Sequence, residues 1–260
     1  MRKIGINLHA YKNLTDEENI SYTASSGFDT VFCKFYDKER QASLAKLLEK
    51  HALECESIHA PYRDINSIWL DNATGDDMLD KLKTCVDHCQ IVGAKIAVVH
   101  LSGGNNPPPI TDIGRDRFAR LVDHASSKSI KIAFENQRKL ANIAWALEAF
   151  TPDTAGFCWD CGHEFCCTPG RHYMPIFGDR LICTHIHDNS CIYNDDAHLI
   201  PFDCKIDFGY VTDRLKEYSY NGTLMLEIGN EAHYKNISPT DFYEKAVCAA
   251  KKLRAMVDGE

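Results

Sequence analysis

Nine residues able to ligate a divalent cation punctuate the chain in the order His59, His100, Glu135, Asp160, His163, His185, Asp196, His198 and Glu227. Each falls at or just beyond the end of an apolar run. One such residue would carry little meaning, because a lone histidine or strand-end carboxylate is usually a satisfied hydrogen-bonding group. A set is different, since hard and borderline cations need imidazole nitrogens and carboxylate oxygens converging from several segments. The pattern points to a metalloenzyme. Within it, Glu135 and Glu227 are a pair of carboxylates that could give and take protons in one cavity, where apolar walls and a cation tune such groups as acid and base. Asp160 and His163 are spaced D-x-x-H where a strand turns into a glycine-containing loop. Asp196 and His198, spaced D-x-H, lie in a later loop and could clasp one ion jointly.

Residues so far apart in sequence need a scaffold that gathers them. Strand-like runs recur through the chain: KIGINLH (Lys3 to His9), TVFCKF (Thr30 to Phe35), CESIHAPY (Cys55 to Tyr62), KIAVVHLS (Lys95 to Ser102), KIAFENQ (Lys131 to Gln137), AGFCWDCGH (Ala155 to His163), LICTHIHDN (Leu181 to Asn189) and TLMLEIG (Thr223 to Gly229). Between them lie segments of helical apolar spacing, such as Leu44, Leu47 and Leu48, or Met78, Leu79, Leu82 and Val86, or Phe118, Leu121 and Val122. Eight strands alternating with helices predict a single (β/α)8 barrel over residues 1–260, with an open doubly wound sheet as the alternative.

Strand parity sharpens this expectation, because residues two apart share a face. The inward sets read Ile96, Val98, His100, then Ala133, Glu135, Gln137, then Gly156, Cys158, Asp160, then Cys183, His185, His187, and finally Met225, Glu227, Gly229. Each begins small or apolar and ends near a polar residue, as a packed barrel with a reactive C-terminal rim requires. The longest connections follow the third, fourth and seventh runs, at the same rim. The SGGNN turn within the second of these lacks the lysine and helix start of a phosphate-binding loop and reads as a turn.

Composition bounds the remaining choices. A chain of 260 residues, 44% hydrophobic and 25% charged, can bury a full core. No signal peptide is read at the start and no run is apolar enough to span a membrane, so a soluble, cytoplasmic protein is expected. In that compartment the twelve cysteines are expected to stay thiols, with Cys33, Cys158, Cys183 and Cys248 acting as small hydrophobes. The Cys158/Cys161 CxxC has no second pair to complete a four-sulfur zinc site. A net charge of −8 disfavours loose binding to nucleic acid. Apolar helix faces could pair barrels into a homo-oligomer, but no pattern fixes a symmetry.

The strand-end motifs SIHAPY, VVHLS, AFENQ, WDCGH, THIHDN with DDAHL, and LMLEIG together resemble the xylose isomerase-like barrel superfamily, from the first strand to the last helix. That superfamily includes sugar isomerases and epimerases and class IV apurinic endonucleases. For the isomerase branch, the resemblance implies one divalent ion, such as manganese or zinc, on Glu135, Asp160, His185 and Glu227. It also implies proton transfer by the two glutamates through an enediolate, with His163 hydrogen-bonded to a substrate hydroxyl. For the endonuclease branch it implies three zinc ions: the first on His59, His100 and Glu135, the second on Asp160, His185, Glu227 and the shared Glu135, the third on His163, Asp196 and His198. If only one ion is bound, His59, His100 and His163 are left to bind substrate.

The two branches part at the loops. An endonuclease grips bent duplex with basic loops and wedge side chains. Arg63, Arg138 and Arg171 are dispersed here, Tyr62 and Trp69 are the available wedges, and Pro201 and Phe202 stand where many relatives have a small glycine-rich turn. The expectation is a metal-dependent isomerase or epimerase of a small sugar, sugar phosphate or related polyol carbonyl compound, with the three-zinc endonuclease as the alternative. A non-catalytic barrel is disfavoured by the intact glutamate pair.

Overall fold

A computed structural model describes residues 1–230 and 233–259. Eight parallel strands run β1 Ile4–Asn7, β2 Thr30–Lys34, β3 Glu54–His59, β4 Ile96–His100, β5 Lys131–Glu135, β6 Ala155–Asp160, β7 Leu181–His185 and β8 Leu224–Leu226. Sequential neighbours pair from β1 to β7, and β8 pairs with β1. The remaining seam, between β7 and β8, is bridged at Ile186 opposite Leu226. There the Ile186 amide donates to the Met225 carbonyl at 2.8 Å, and the Thr184 hydroxyl donates to the Thr223 carbonyl at 3.0 Å. The sheet therefore closes into the expected (β/α)8 barrel and not the open alternative, because only a closed sheet leaves no unpaired edge.

The principal helices begin where the local chemistry allows. Helix α1, Asp16–Ser26, opens on a capping box in which Thr15 and Glu18 satisfy each other's backbone amides. Asn72 caps α3, Ala73–Val92, and Thr111 caps α4, Asp112–Ser127, while α2, Lys38–Lys50, starts at Asp37. The helices α5, Leu140–Ala149, α8, Phe208–Glu217, and α9, Pro239–Asp258, complete the outer ring, with two short helices, α6, Cys161–Cys167, and α7, Met174–Phe177, after β6. Among the described residues no helix is long and apolar enough to cross a membrane.

Strand parity is borne out inside the barrel, where Val98, Ala133, Cys158 and Cys183 form a separate apolar plug beneath the rim. Some expectations change. The run from Ala155 does not remain extended to His163: the strand stops at Asp160 and α6 begins at once, so D-x-x-H spans a helix start and not a loop. Trp69 is no wedge, being 1% exposed, with its indole N–H donated to the Leu101 carbonyl and its ring against Phe118 and Trp145. Gly114 permits this contact, since a Cβ there would lie 2.0 Å from the indole. Cys248 is exposed, unlike the other three cysteines read as core, and all twelve are free thiols. The SGGNN turn behaves as a turn, with the Gly103 amide and carbonyl both bound by the Asn66 side chain.

The connection after β3 carries a short 3-10 helix, Ile65–Trp69, locked from below by Arg117 of α4. The buried guanidinium donates to the carbonyls of Ile68, Leu70 and Asn72 and pairs with Asp76 at 2.9 Å. Methionine at this position would fill the space and leave the Ile68 carbonyl without its donor, while the Leu70 and Asn72 carbonyls would keep only the Asn72 and Gly75 amides. Arg117→Met is therefore expected to lower the unfolding free energy by about 2 kcal/mol, the cost of one orphaned buried carbonyl and the lost charged hydrogen bonds. Urea denaturation checks this, and a change within about 0.5 kcal/mol, the range of ordinary surface substitutions, would show that solvent satisfies the carbonyls instead.

Candidate metal centre

All nine residues come together at the C-terminal mouth of the barrel. Glu135 ends β5, His59 ends β3, His100 ends β4, His185 ends β7, and Glu227 lies one residue beyond β8. Asp160 ends β6 and is also the N-cap of α6, where its Oδ1 accepts the His163 amide at 2.6 Å. The D-x-x-H spacing is thus that of an N-cap and its third helical residue, which turns the His163 imidazole back over the mouth. Asn136 holds Asp160 at its backbone, accepting the Asp160 amide and donating to the Asp160 carbonyl, each at 2.8 Å.

Asp196 and His198 arrive from the long connection after β7, which doubles back as Leu199 pairs with Asp188. His198 adopts a left-handed backbone conformation, φ +46°, uncommon for a residue with a Cβ. The turn chemistry changed at Pro201 and Phe202 does not keep Asp196 and His198 away from His163. The His163 Nε2 lies 3.3 Å from Asp196 Oδ2, and His198 Nε2 lies 3.4 Å from Asp196 Oδ1.

The ligand atoms fall into overlapping groups, each spanning no more than 4.8 Å. Among them are Glu135, Asp160, His185 and Glu227; His59, His100 and Glu135; and His163, His187, Asp196 and His198. His187 is the candidate ligand that sequence reasoning missed. Its signal was present, because parity already set it inward with His185. Its Nε2 lies 3.2 Å from Asp160 Oδ1, and its ring stacks on His198 with centroids 4.0 Å apart. Gly162 makes room for it, since a Cβ there would sit 2.0 Å from the imidazole. A further inward group, Cys158 and Cys183 with His185, lies beneath the carboxylates.

Several features fit a cation. Glu135 Oε1, Asp160 Oδ2, Glu227 Oε2 and both ring nitrogens of His185 and His187 are buried without a hydrogen-bond partner in the protein. Buried polar atoms rarely stand so, and a common centre for them is the economical explanation. Outer contacts also orient the rings. His59 Nδ1 donates to the Ala60 carbonyl at 2.9 Å and His198 Nδ1 to the Glu227 carbonyl at 2.8 Å, leaving each Nε2 as the acceptor on the side of the cluster. These donor sets of imidazole and carboxylate suit a divalent metal.

Electrostatics follow from this crowding. Burial opposes charge on Glu135, but His100 and His185 outweigh it and hold its carboxyl well below the usual range. Burial likewise disfavours charge on His185, yet Glu227 and Glu135 raise its pKa well above the ordinary value. His163 is raised too, burial being outweighed by Asp160 and Asp196. His100, where burial dominates over Glu135, is lowered. The cluster opens on adjoining cavities of about 310 and 220 Å³ that share His59, Tyr62, Asp196, His198 and Glu227.

The family model described as xylose isomerase-like TIM barrel matches residues 20–252. The chain belongs to the xylose isomerase-like TIM barrel family. Two uncharacterised proteins are similar in sequence. One from Sinorhizobium fredii is 32% identical over 147 residues, 56% of this chain and 45% of that protein. The other, from Methanocaldococcus jannaschii, is 23% identical over 207 residues, covering 72% of this chain and 68% of its own length. The match thus spans under half the length of the first relative. Among solved structures of the xylose isomerase-like fold, a D-tagatose 3-epimerase-like protein superposes with a TM-score of 0.80 at 20% identity, covering 99% of this chain and 98% of its own. An L-ribulose 3-epimerase superposes with 0.75 at 17% identity, covering 99% and 97%. The IolI protein with a bound zinc atom superposes with 0.78 at 18% identity, covering 99% and 98%. At these identities the likeness is one of fold.

Proposed function

We propose that this member of the family is a divalent-metal-dependent isomerase or epimerase of a small sugar, sugar phosphate or related polyol carbonyl compound. The observation that carries this reading is the convergence of Glu135, Asp160, His185 and Glu227, with unpartnered buried oxygens and nitrogens, beside two adjoining cavities of small-molecule size, one lined by Glu227 and the other by Glu135 and Glu227. The zinc-bound and epimerase proteins of the same fold support it. Those four residues would hold the ion, which when bound supplies Lewis-acid polarisation of a carbonyl.

The chain's own residues do the remaining work. Glu227 lines the larger cavity, and His185 and His198 outweigh burial to keep its carboxyl below the usual range, so it is ionised, the form a base requires. Glu135, also ionised, lines the adjoining cavity. One carboxylate would take the proton from the carbon beside the carbonyl to give an enediolate, and the other glutamate, after taking a proton from solvent, would deliver it to the opposite face; the abstracted proton then passes from the first glutamate to solvent, which restores the site. Because either glutamate could be the base while the other carries the proton, the reaction could start from either epimer. His163 would donate to a substrate hydroxyl, and His59 and His100 would line the substrate's path.

A second reading is favoured by one observation: the ligand atoms include groups around three centres, not one, with Glu135 shared by two of them. That is the partition a three-zinc phosphodiester hydrolase acting at abasic sites would use. The charge of −8 and the burial of Trp69 weigh against a duplex substrate. The test is elemental analysis of protein purified without chelator, followed by incubation with ketoses in deuterated water. One ion exchangeable for manganese, with deuterium entering the carbon beside the carbonyl, is expected. Three zinc ions with cleavage of an abasic duplex would overturn the isomerase reading.

A further inference from the structure

The larger cavity has two chemically different walls. His59, His198 and Glu227 form one, and Asn7, His9 and Lys34 contribute to the other. Lys34 is the last residue of β2, in register with His59 of β3. Two positions earlier, Phe32 stacks on His185 with ring centroids 4.6 Å apart, so this face of β2 is the one turned into the barrel. Parity therefore brings the Lys34 side chain to the barrel mouth.

The other polar groups on that wall are already committed. The Asn7 amide donates to the Ile228 carbonyl and its oxygen accepts the Ile228 amide, both at 2.9 Å. His9 places Nε2 2.8 Å from Asp16 and Nδ1 3.0 Å from the Tyr36 hydroxyl. Arg40, behind them, is paired with Asp16 at 2.7 Å and lies over the Tyr36 ring. Lys12, also on this wall, is engaged in an interaction of its own. Lys34 forms no ion pair with any described residue. The cation that lines this cavity without an ion pair to a described residue is thus Lys34.

We infer that the substrate carries an anionic group, a phosphate or a carboxylate, at the end remote from Glu135 and Glu227, and that the Lys34 ammonium binds it. The inference rests on the isomerase reading for which end of the substrate reacts, but the binding of the anion is measurable without turnover. A neutral polyol tail would have only the Tyr62 hydroxyl, beside His59, to bind, because Asn7 and His9 are already hydrogen-bonded within the protein. An anion instead gains a charge-assisted hydrogen bond from a group that has no ion-pair partner of its own.

Calorimetric titration of the metal-loaded protein with ribitol, ribitol 5-phosphate and ribonate tests this. At least one of the two anions is expected to bind about tenfold or more tightly than ribitol, as befits one hydrogen bond to a charged group. Which anion does so identifies the source of the charge. Lys34→Met should erase the preference while leaving ribitol affinity and melting temperature unchanged, and Lys34→Arg should restore most of it. Equal affinities for all three ligands, no binding of either anion, or a preference that survives Lys34→Met would each overturn the inference. Deuterium exchange into an uncharged ketose without any Lys34-dependent preference would leave the isomerase reading standing and remove this one. A Lys34-dependent preference with no exchange into any ketose would do the reverse.

Discussion

Glu227→Gln is expected to lower turnover by about a thousandfold while the barrel stays folded, because a positioned general acid or base contributes roughly 10²–10⁴ to the rate. Glutamine keeps the shape of the side chain but neither accepts a proton nor carries the charge that lies 3.1 Å from His185. Glu135→Gln should be more damaging. The Glu135 carboxylate lies 3.2 Å from His59, 3.0 Å from His100, 3.2 Å from His163 and 3.5 Å from His185, and it belongs to two of the ligand groups. The Glu227→Gln protein is expected to retain a bound ion at reduced affinity, whereas the Glu135→Gln protein should lose both ion and turnover. Exchange kinetics in deuterated water and metal content of each purified variant separate the two effects. Turnover within about threefold of the unmodified protein in either variant, far short of the loss a general acid or base accounts for, would remove that glutamate from proton transfer.

Removal of the ion should be felt in stability as well. A ligand that binds only the folded state stabilises it by about 4 kcal/mol at a thousandfold excess over its dissociation constant, which for a chain of this size is roughly 10 °C in Tm. Chelator-treated protein is therefore expected to melt well below the same protein resupplied with manganese or zinc. The difference should grow as pH rises. In ion-free protein the carboxylates overcome burial and hold His185 and His163 above their ordinary pKa, so both carry protons at neutral pH that an ion must displace. A folded-state pKa raised above the unfolded value of about 6.5 contributes stability that is present below that value and lost as pH climbs through the raised one. Rising pH thus weakens the ion-free protein and relieves proton competition for the ion. Thermal melts with and without metal from about pH 6 to about pH 8, where an unperturbed imidazole would lose its proton, check both points. A gap that shrinks with pH, or no gap, would contradict the assignment of these imidazoles as ligands.

The order of the strands and the rim position of the nine residues were readable from the chain because both depend on short-range rules. A run of β-branched and apolar residues limits the strand, period-two alternation sets which side chains point inward, and a parallel barrel brings all its C-terminal ends to one mouth. His100, Glu135, Asp160 and His185 each end a strand for this reason. The D-x-x-H pair was legible as a pair but not as a helix start, since an apolar run that includes Cys161 and Gly162 has no period long enough to betray the change from strand to helix. Trp69 was misplaced for a related reason. Its indole is drawn under the 3-10 turn by a gap at Gly114, forty-five positions away in the chain, and no local pattern records such a gap.

Residue type and spacing were thus enough to predict a parallel barrel and to bring nine candidate ligands, the two glutamates among them, to its rim, while closure of the sheet was decided by the β7–β8 seam. The division of that rim into overlapping groups, the entry of His187 into one of them, and the placing of Lys34 on the cavity that Glu227 lines came from folding in three dimensions. They depend on distances between strands and loops remote in sequence, on the room left by a glycine, and on which polar groups their neighbours have already satisfied. Those are properties of packing, and a linear pattern of residues does not contain them.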